Sequence, residues 1–332
     1  MESLDHGFEE NPQRLNTRID SGLAWYGAEI DPGRCLLRLD AEAMADVQAL
    51  AQQLQRTPLP LLLRHPRDFE LGGLPRIMAR ARHNLVAGPG VAVIDALPIT
   101  DIGDEVAMEV FWILGQLINP AVAQKWDGTM LYDVHDTGAD YGYGVRGSYT
   151  NVELVFHTDN AFAAAPPDQV GLLCLRPALR GGISRFCSLY TVHNLLLERY
   201  PRQLERLYQC LLWDRQAEHA ATEPKLLRAP MFRYDGQALQ VRANVSLVRK
   251  GYALAGQEPD RETSEALEAL EDITADPALW FELPIARGQM QYLNNREIAH
   301  YRSRFEDSDE PHLKRHLLRT WHRQSGRRCY DG

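Results

Sequence analysis

The stretch YDVHDTGADYGYGVRGSYTNVELVFHTDNAF, residues 132–162, decides the fold. Glycines alternate with β-forming residues through most of it, the texture of short strands joined by tight turns. It closes on an apolar run, VELVF at 152–156, followed at once by His157-Thr158-Asp159.

Helices dominate the N-terminal side of that stretch. Residues 1–40 read as irregular. Residues 41–55 read as a helix with Asp40 as N-cap and Met44, Val47, Leu50, Ala51 and Leu54 on one face. Pro58 and Pro60 end it. A second helical pattern covers 75–85, a buried strand 90–97 (GVAVIDAL), and an apolar-rich helix 104–118. Strands dominate on the other side: 170–175, then a Gly181-Gly182 turn, a hairpin over 231–248 turning at Tyr234-Asp235-Gly236, and strands at 280–283, 289–293 and 313–322. Helical insertions fall at 190–208, broken at Pro201, and at 263–273. Strand and helix do not alternate regularly, which argues against a doubly wound or barrel α/β design. The expected class is mainly β with α insertions (α+β), an antiparallel barrel or jelly roll flanked by helices. No compositional break marks a linker, so one domain over 1–332 is expected, with 1–89 as its helical N-terminal part.

The chain has 332 residues, with 36 Lys plus Arg against 45 Asp plus Glu, a net charge of −9. That balance argues against nucleic acid and anionic membrane surfaces as bulk partners. No apolar run approaches the roughly 20 residues that cross a bilayer. The opening MESLDHGFEENPQRLN lacks a basic n-region and an apolar h-region, so it does not read as a secretory signal. Five scattered cysteines without a C-x-x-C fit reduced thiols in a cytoplasm.

In a strand, residues i and i+2 share a face, so His157 and Asp159 project together while Thr158 points away. A neutral imidazole and a carboxylate on one face are two ready ligands for a divalent metal. Eleven His and 45 acidic residues in 332 give about 1.5 His-x-Asp/Glu pairs by chance, and one occurs. Alone, the pair is equally a half-buried histidine beside a carboxylate. A second cluster, YLNNREIAHYRSRFEDSDEPHLKRHLLRTWHR at 292–323, adds His300 as a candidate third ligand. Two histidines and one carboxylate make the facial triad of non-haem Fe(II) oxygenases, with three positions left open. Arg315 and Arg319 follow His300 by 15 and 19 residues and share a strand face with Leu317 and Trp321. A guanidinium facing an apolar interior is costly unless it meets an anion, and arginine suits a carboxylate in bidentate geometry.

His157-x-Asp159, Gly181-Gly182-Ile183-Ser184, Asn294-Asn295 and His300, then Arg315 and Arg319, resemble the taurine dioxygenase and clavaminate synthase-like superfamily over about 90–325. That resemblance implies a double-stranded β-helix core and an Fe(II)- and 2-oxoglutarate-dependent dioxygenase, which couples O₂ and loss of CO₂ and succinate to substrate oxidation. It implies His157, Asp159 and His300 as iron ligands. It implies Arg315, helped by Ser184 and by Arg319, as the grip on 2-oxoglutarate, with a substrate anion as the other role for Arg319. Asp159 stands where the related halogenases carry Ala or Gly, which points to hydroxylation; desaturation, epoxidation or cyclisation use the same triad.

Substrate contacts are expected just upstream of the metal pair, from Asn151 first, then Arg146 and Tyr149, with Arg242 and Asn244 behind them. Asn151 shares the His157 face if the strand is regular. His135, His312, His316 and His322 read as surface or packing residues, and Cys187 as a buried apolar side chain. A small polar metabolite, amino-acid-like or a natural-product intermediate, is the expected substrate, with a homo-oligomer left open. A zinc hydrolase and a non-enzymatic jelly-roll module are the competing classes; the first leaves Arg315 and Ser184 without a task.

Overall fold

Strand alternation sorts the apolar residues of this chain into two inner and two outer faces. The computed structural model describes residues 3–5, 7–8, 12–140, 142 and 144–331. The larger sheet runs Leu36–Leu37, Val91–Ile94, Met290–Asn294, Gln169–Arg176, His316–His322 and Ala121–Val122, with Leu131–Val134 also paired to His316–His322. Only its first pair is parallel. The smaller sheet runs Trp280–Glu282, Ser184–Ser188, Ile298–Arg302 and Leu154–His157, antiparallel throughout.

The two sheets face one another. Val91, Val170, Leu293 and Trp321 of the larger meet Phe186, Phe281 and Ile298 of the smaller in one buried cluster. On the larger sheet's other face, Ala92, Ile94, Leu173, Leu175, Met290 and Tyr292 pack against helices Ala41–Arg56, Leu74–Ala87 and Asp104–Gly115. On the smaller sheet's other face, Cys187 and Ala299 meet helices Leu189–Arg199, Pro201–Leu207, Val245–Ala255 and Arg261–Thr274. Sheets covered on both faces explain why VAVI and VGLLCL are nearly continuous apolar runs. This is a double-stranded β-helix core flanked by helices, mixed α+β.

Most elements end where their caps dictate. Asp40 accepts a hydrogen bond from the Ala43 N–H at 2.9 Å and starts its helix; Ala43, more than Met44, fills the buried face. Pro201 divides 189–207 into two helices. Three expectations change. The hairpin stops at Val241, because Asn244 caps Leu247 N–H at 3.0 Å and starts a helix where Val245, Val248 and Tyr252 fall at helical spacing. The irregular first 40 residues include Leu36–Leu37, which joins the larger sheet, and Ser3–Asp5, which pairs with Leu226–Ala229. The last strand begins at His316, after a 3-10 turn at Pro311–Leu313.

Candidate active site

Ladder register brings the metal-ligand types together. His300 pairs directly with His157 across antiparallel strands, and the ring centroids lie 4.2 Å apart. Asp159 Oδ1 stands 3.7 Å from His157 Nε2 and 3.6 Å from His300 Nε2. One ligand atom from each of the three lies within 4.8 Å of the others. Thr158 points away, its hydroxyl accepting from Ala243 N–H at 3.0 Å.

Protonation states suit a cation. Burial pushes both imidazoles down, His300 to about 3, so each is neutral with a lone pair to offer. The 2.8 Å contact from His157 Nδ1 to Val155 O is a donated N–H, which leaves Nε2 facing the site. Burial pushes the Asp159 carboxyl up, but the Arg319 guanidinium, with the Trp321 N–H, outweighs it and holds the group below the usual carboxylate range. Arg319 Nη1 and Trp321 Nε1 both donate to Asp159 Oδ2, at 2.9 and 2.8 Å. Oδ1 is thereby left for a metal, so two neutral imidazoles and one carboxylate oxygen fit Fe(II). Asn295 fixes the aspartate's backbone: its Oδ1 accepts from Asp159 N–H at 2.7 Å and its Nδ2 donates to Asp159 O at 3.0 Å. Sequence reading quoted Asn295 in the motif without giving it this task.

The two arginines differ. Arg319 also donates from Nε to Gln124 Oε1 at 2.8 Å and lies over the Tyr132 and Trp321 rings at 4.7 and 4.9 Å. Arg315 is 6% exposed, stacks over Phe305 at 4.9 Å, and its buried Nη1 has no partner among the described residues. Burial pushes its guanidinium down to about 10. A desolvated cation with an orphan N–H is a receptor for an anion. Ser184, His300 and Gln291 line the same chamber. Gly181 stands at φ 74°, and a Cβ there would strike the Arg304 carbonyl, so the turn beside this chamber needs glycine.

Residues 55–321 match the family described as taurine catabolism dioxygenase TauD, TfdA family. The chain belongs to that family. This TauD/TfdA-family protein is a 2-oxoglutarate-dependent non-haem iron dioxygenase, an oxidoreductase. It is 26% identical over 317 residues to FR-33289 synthase of Streptomyces rubellomurinus, covering 92% of this chain and 91% of that one. It is 27% identical to the taurine hydroxylase-like protein SAT17 of Stachybotrys chartarum, covering 92% and 80%. Its fold is similar to asparagine oxygenase solved with Fe(II), 2S,3S-3-hydroxyasparagine and succinate, at TM-score 0.69, 19% identity, and 87% and 93% coverage. It is also similar to the non-heme iron oxygenase OrfP with Fe, succinate and (3S)-hydroxy-L-Arg, at TM-score 0.61, 15% identity, and 87% and 94% coverage. Among the described residues no helix is long and apolar enough to cross a membrane.

Next to the triad opens a cavity of about 190 Å³ lined by Arg146, Ser148, Asn160, Gln216, Asn244 and Ser246. Arg146 is buried against Glu218 at 2.8 Å and donates to Gln124 O at 3.0 Å. Neither Asn151 nor Tyr149 lines this cavity. Asn151 falls outside the strand, which starts at Leu154, so the regular alternation that placed it beside His157 does not hold. The cause is Arg302, whose Nη2 draws the Thr150 and Val152 carbonyls out of a ladder, at 2.8 and 2.5 Å. Tyr149 stacks on Tyr132 at 5.2 Å. Arg242 donates to the Ala161 and Ala163 carbonyls at 3.0 and 2.7 Å and so braces the loop after Asp159. His316 bridges Asp133 and Arg176, at 2.6 and 2.9 Å, and His322 bridges Thr320 and the Asn119 carbonyl, each at 2.8 Å. The sequence reading missed Glu218 and Gln216; both lie in a loop with no motif, though Gln216 and Ala217 at φ 52° and 57° mark strained backbone.

Proposed function

We propose that this enzyme hydroxylates a small polar metabolite, amino-acid-like or a natural-product intermediate, with His157, Asp159 and His300 as the iron ligands. Arg315 and Ser184 take the distal carboxylate of 2-oxoglutarate, and Arg319 serves as a positioning residue on Asp159. The orphan Nη1 of buried Arg315, beside a neutral-histidine and carboxylate triad, is the observation that carries the reading. Bound iron with 2-oxoglutarate and O₂ supplies the oxidant. The protein's own part is to keep both imidazoles neutral, to present one oxygen of Asp159, and to hold the co-substrate's charge in a chamber closed by Phe186 and Leu317. A cavity of about 190 Å³ beside the triad suits a small metabolite. We further read residues 1–332 as one dioxygenase domain. The five unpaired cysteines support a reducing cytoplasm as its setting. A hydrolytic zinc centre would give Arg315 no anion to hold.

The test is spectroscopic. Under anaerobic conditions, Fe(II) and 2-oxoglutarate added to the protein should raise the weak visible charge-transfer band of their chelate. In air, a panel of amino acids and related metabolites should then reveal substrate-dependent succinate release. No band, and no succinate with any candidate, sinks the reading.

A further inference from the structure

Gln124 is fully buried two residues past strand Ala121–Val122, and every polar atom of its side chain is engaged. Its Oε1 accepts from Arg319 Nε at 2.8 Å. Its Nε2 donates to the Arg319 carbonyl at 2.7 Å and to the Met130 carbonyl at 2.8 Å. One amide thus holds Arg319 by its backbone and by its side chain. The backbone of Gln124 is fixed in turn: its N–H donates to the Thr129 carbonyl at 2.7 Å, and its carbonyl accepts from Arg146 Nη2 at 3.0 Å.

The residue type follows from those partners. Two carbonyls require two N–H donors and the guanidinium requires an acceptor, a set that a side-chain amide supplies. A carboxylate of the same length would turn only acceptors toward the two carbonyls. A guanidinium is planar, with its N–H groups in a fixed fork. Holding Arg319 at Nε, with the Tyr132 and Trp321 rings at 4.7 and 4.9 Å, therefore aims Nη1, which donates to Asp159 Oδ2 at 2.9 Å. That bond and the one from Trp321 occupy Oδ2 and leave Oδ1 beside His157 and His300. Gln124 itself lines neither the cavity nor the Arg315 chamber, so its route to the metal position is Arg319.

We propose that Gln124 is a positioning residue for the metal centre: through Arg319 it fixes the rotation of the Asp159 carboxylate, so that a single oxygen is presented to iron. This rests on the dioxygenase reading above and adds a residue that touches neither metal nor co-substrate.

The test is Gln124→Met, which removes the three side-chain hydrogen bonds at nearly constant length and leaves the Arg146 bond, which uses the backbone. Fe(II) affinity is measured by equilibrium dialysis without oxygen, and the chelate band is recorded on the same samples after 2-oxoglutarate is added. Iron affinity should fall about fivefold, less than the tenfold that marks loss of a ligand's direct partner, and the band should shift. Affinity for 2-oxoglutarate, set by independent contacts at Arg315, should stay within about twofold. Arg319→Lys keeps the charge and removes the fork, so adding Gln124→Met to it should change iron affinity by less than about twofold. A full fivefold loss on that background would bypass Arg319 and overturn the proposal. A lowered melting temperature with unchanged iron affinity and band would mark a purely structural glutamine and overturn it as well. Gln124→Asn, whose amide stops one carbon short of Arg319, is the milder second variant and should reproduce the band shift. If neither variant folds, Gln124 belongs to the fold and not to the metal centre, and the proposal falls. Absence of the band from the unsubstituted enzyme removes the dioxygenase reading, whereas a normal band that no variant shifts removes only the role of Gln124.

Discussion

The inner half of the active site is built by sheet and the outer half by loops, and they differ in how their side chains are aimed. His157 and His300 meet because two antiparallel strands are in register, and Leu317, Arg319 and Trp321 line up because one strand alternates. Ser148, Asn160, Gln216 and Asn244 reach the outer cavity from a 3-10 turn, a left-handed residue, a strained loop and a helix cap. On the reading proposed above, ladder geometry places the metal and co-substrate groups, and irregular backbone places the groups that line the outer cavity.

Breaking the inner half should have the largest effects. Asp159→Ala removes the only carboxylate of the triad and leaves the buried Arg319 without its anionic partner. We expect iron affinity to fall more than about 100-fold, beyond what loss of an outer partner causes, and hydroxylation to stop. Iron binding and succinate release measure this, and retained activity would remove Asp159 from the ligand set. Arg315→Ala should come next. Losing one partner of a buried charge pair costs about 2–5 kcal/mol, so the 2-oxoglutarate requirement should rise at least about 30-fold. Iron affinity should stay within about twofold, and an unchanged co-substrate requirement would move that role elsewhere.

Trp321→Phe probes the layer behind the metal. It deletes one of two N–H donors on Asp159 Oδ2 and keeps the aromatic packing against Val170 and Leu293. Arg319 still holds the oxygen, so iron affinity should fall about tenfold, the low end for an outer-layer partner, and the chelate band should shift. Full affinity with an unshifted band would mean that Arg319 positions Asp159 alone.

The same division explains what the sequence made legible. Period-two alternation exposed the His157 and Asp159 pair, and it exposed the shared face of Arg315, Arg319 and Trp321. It could not tell the arginines apart, because their difference lies in partners more than a hundred residues away: Asp159 and Gln124 for Arg319, none for Arg315 Nη1. The helix Val245–Ala255 was hidden because Val245, Leu247 and Val248 also suit a strand, and only the Asn244 cap decides between them. Glu218 carries no local signal at all; its meaning is Arg146, 72 residues upstream and meeting it at 2.8 Å.

Asn151 gives the smallest expected effect and the sharpest check on where the sheet ends. A regular strand from 151 to 157 would set its amide on the His157 face, beside a bound substrate. Arg302 prevents this by gathering the carbonyls of Thr150 and Val152, and the Asn151 carbonyl itself accepts from Phe305 N–H at 3.2 Å. The side chain is not needed for any of these bonds, which belong to the backbone. Asn151→Ala should therefore leave KM for the substrate and for 2-oxoglutarate within about twofold and stability within about 0.5 kcal/mol, as for substitutions away from packed or bonded features. A tenfold rise in substrate KM at unchanged stability would show that the strand straightens when substrate binds, and would move the boundary between the sheet-built and loop-built halves three residues outward.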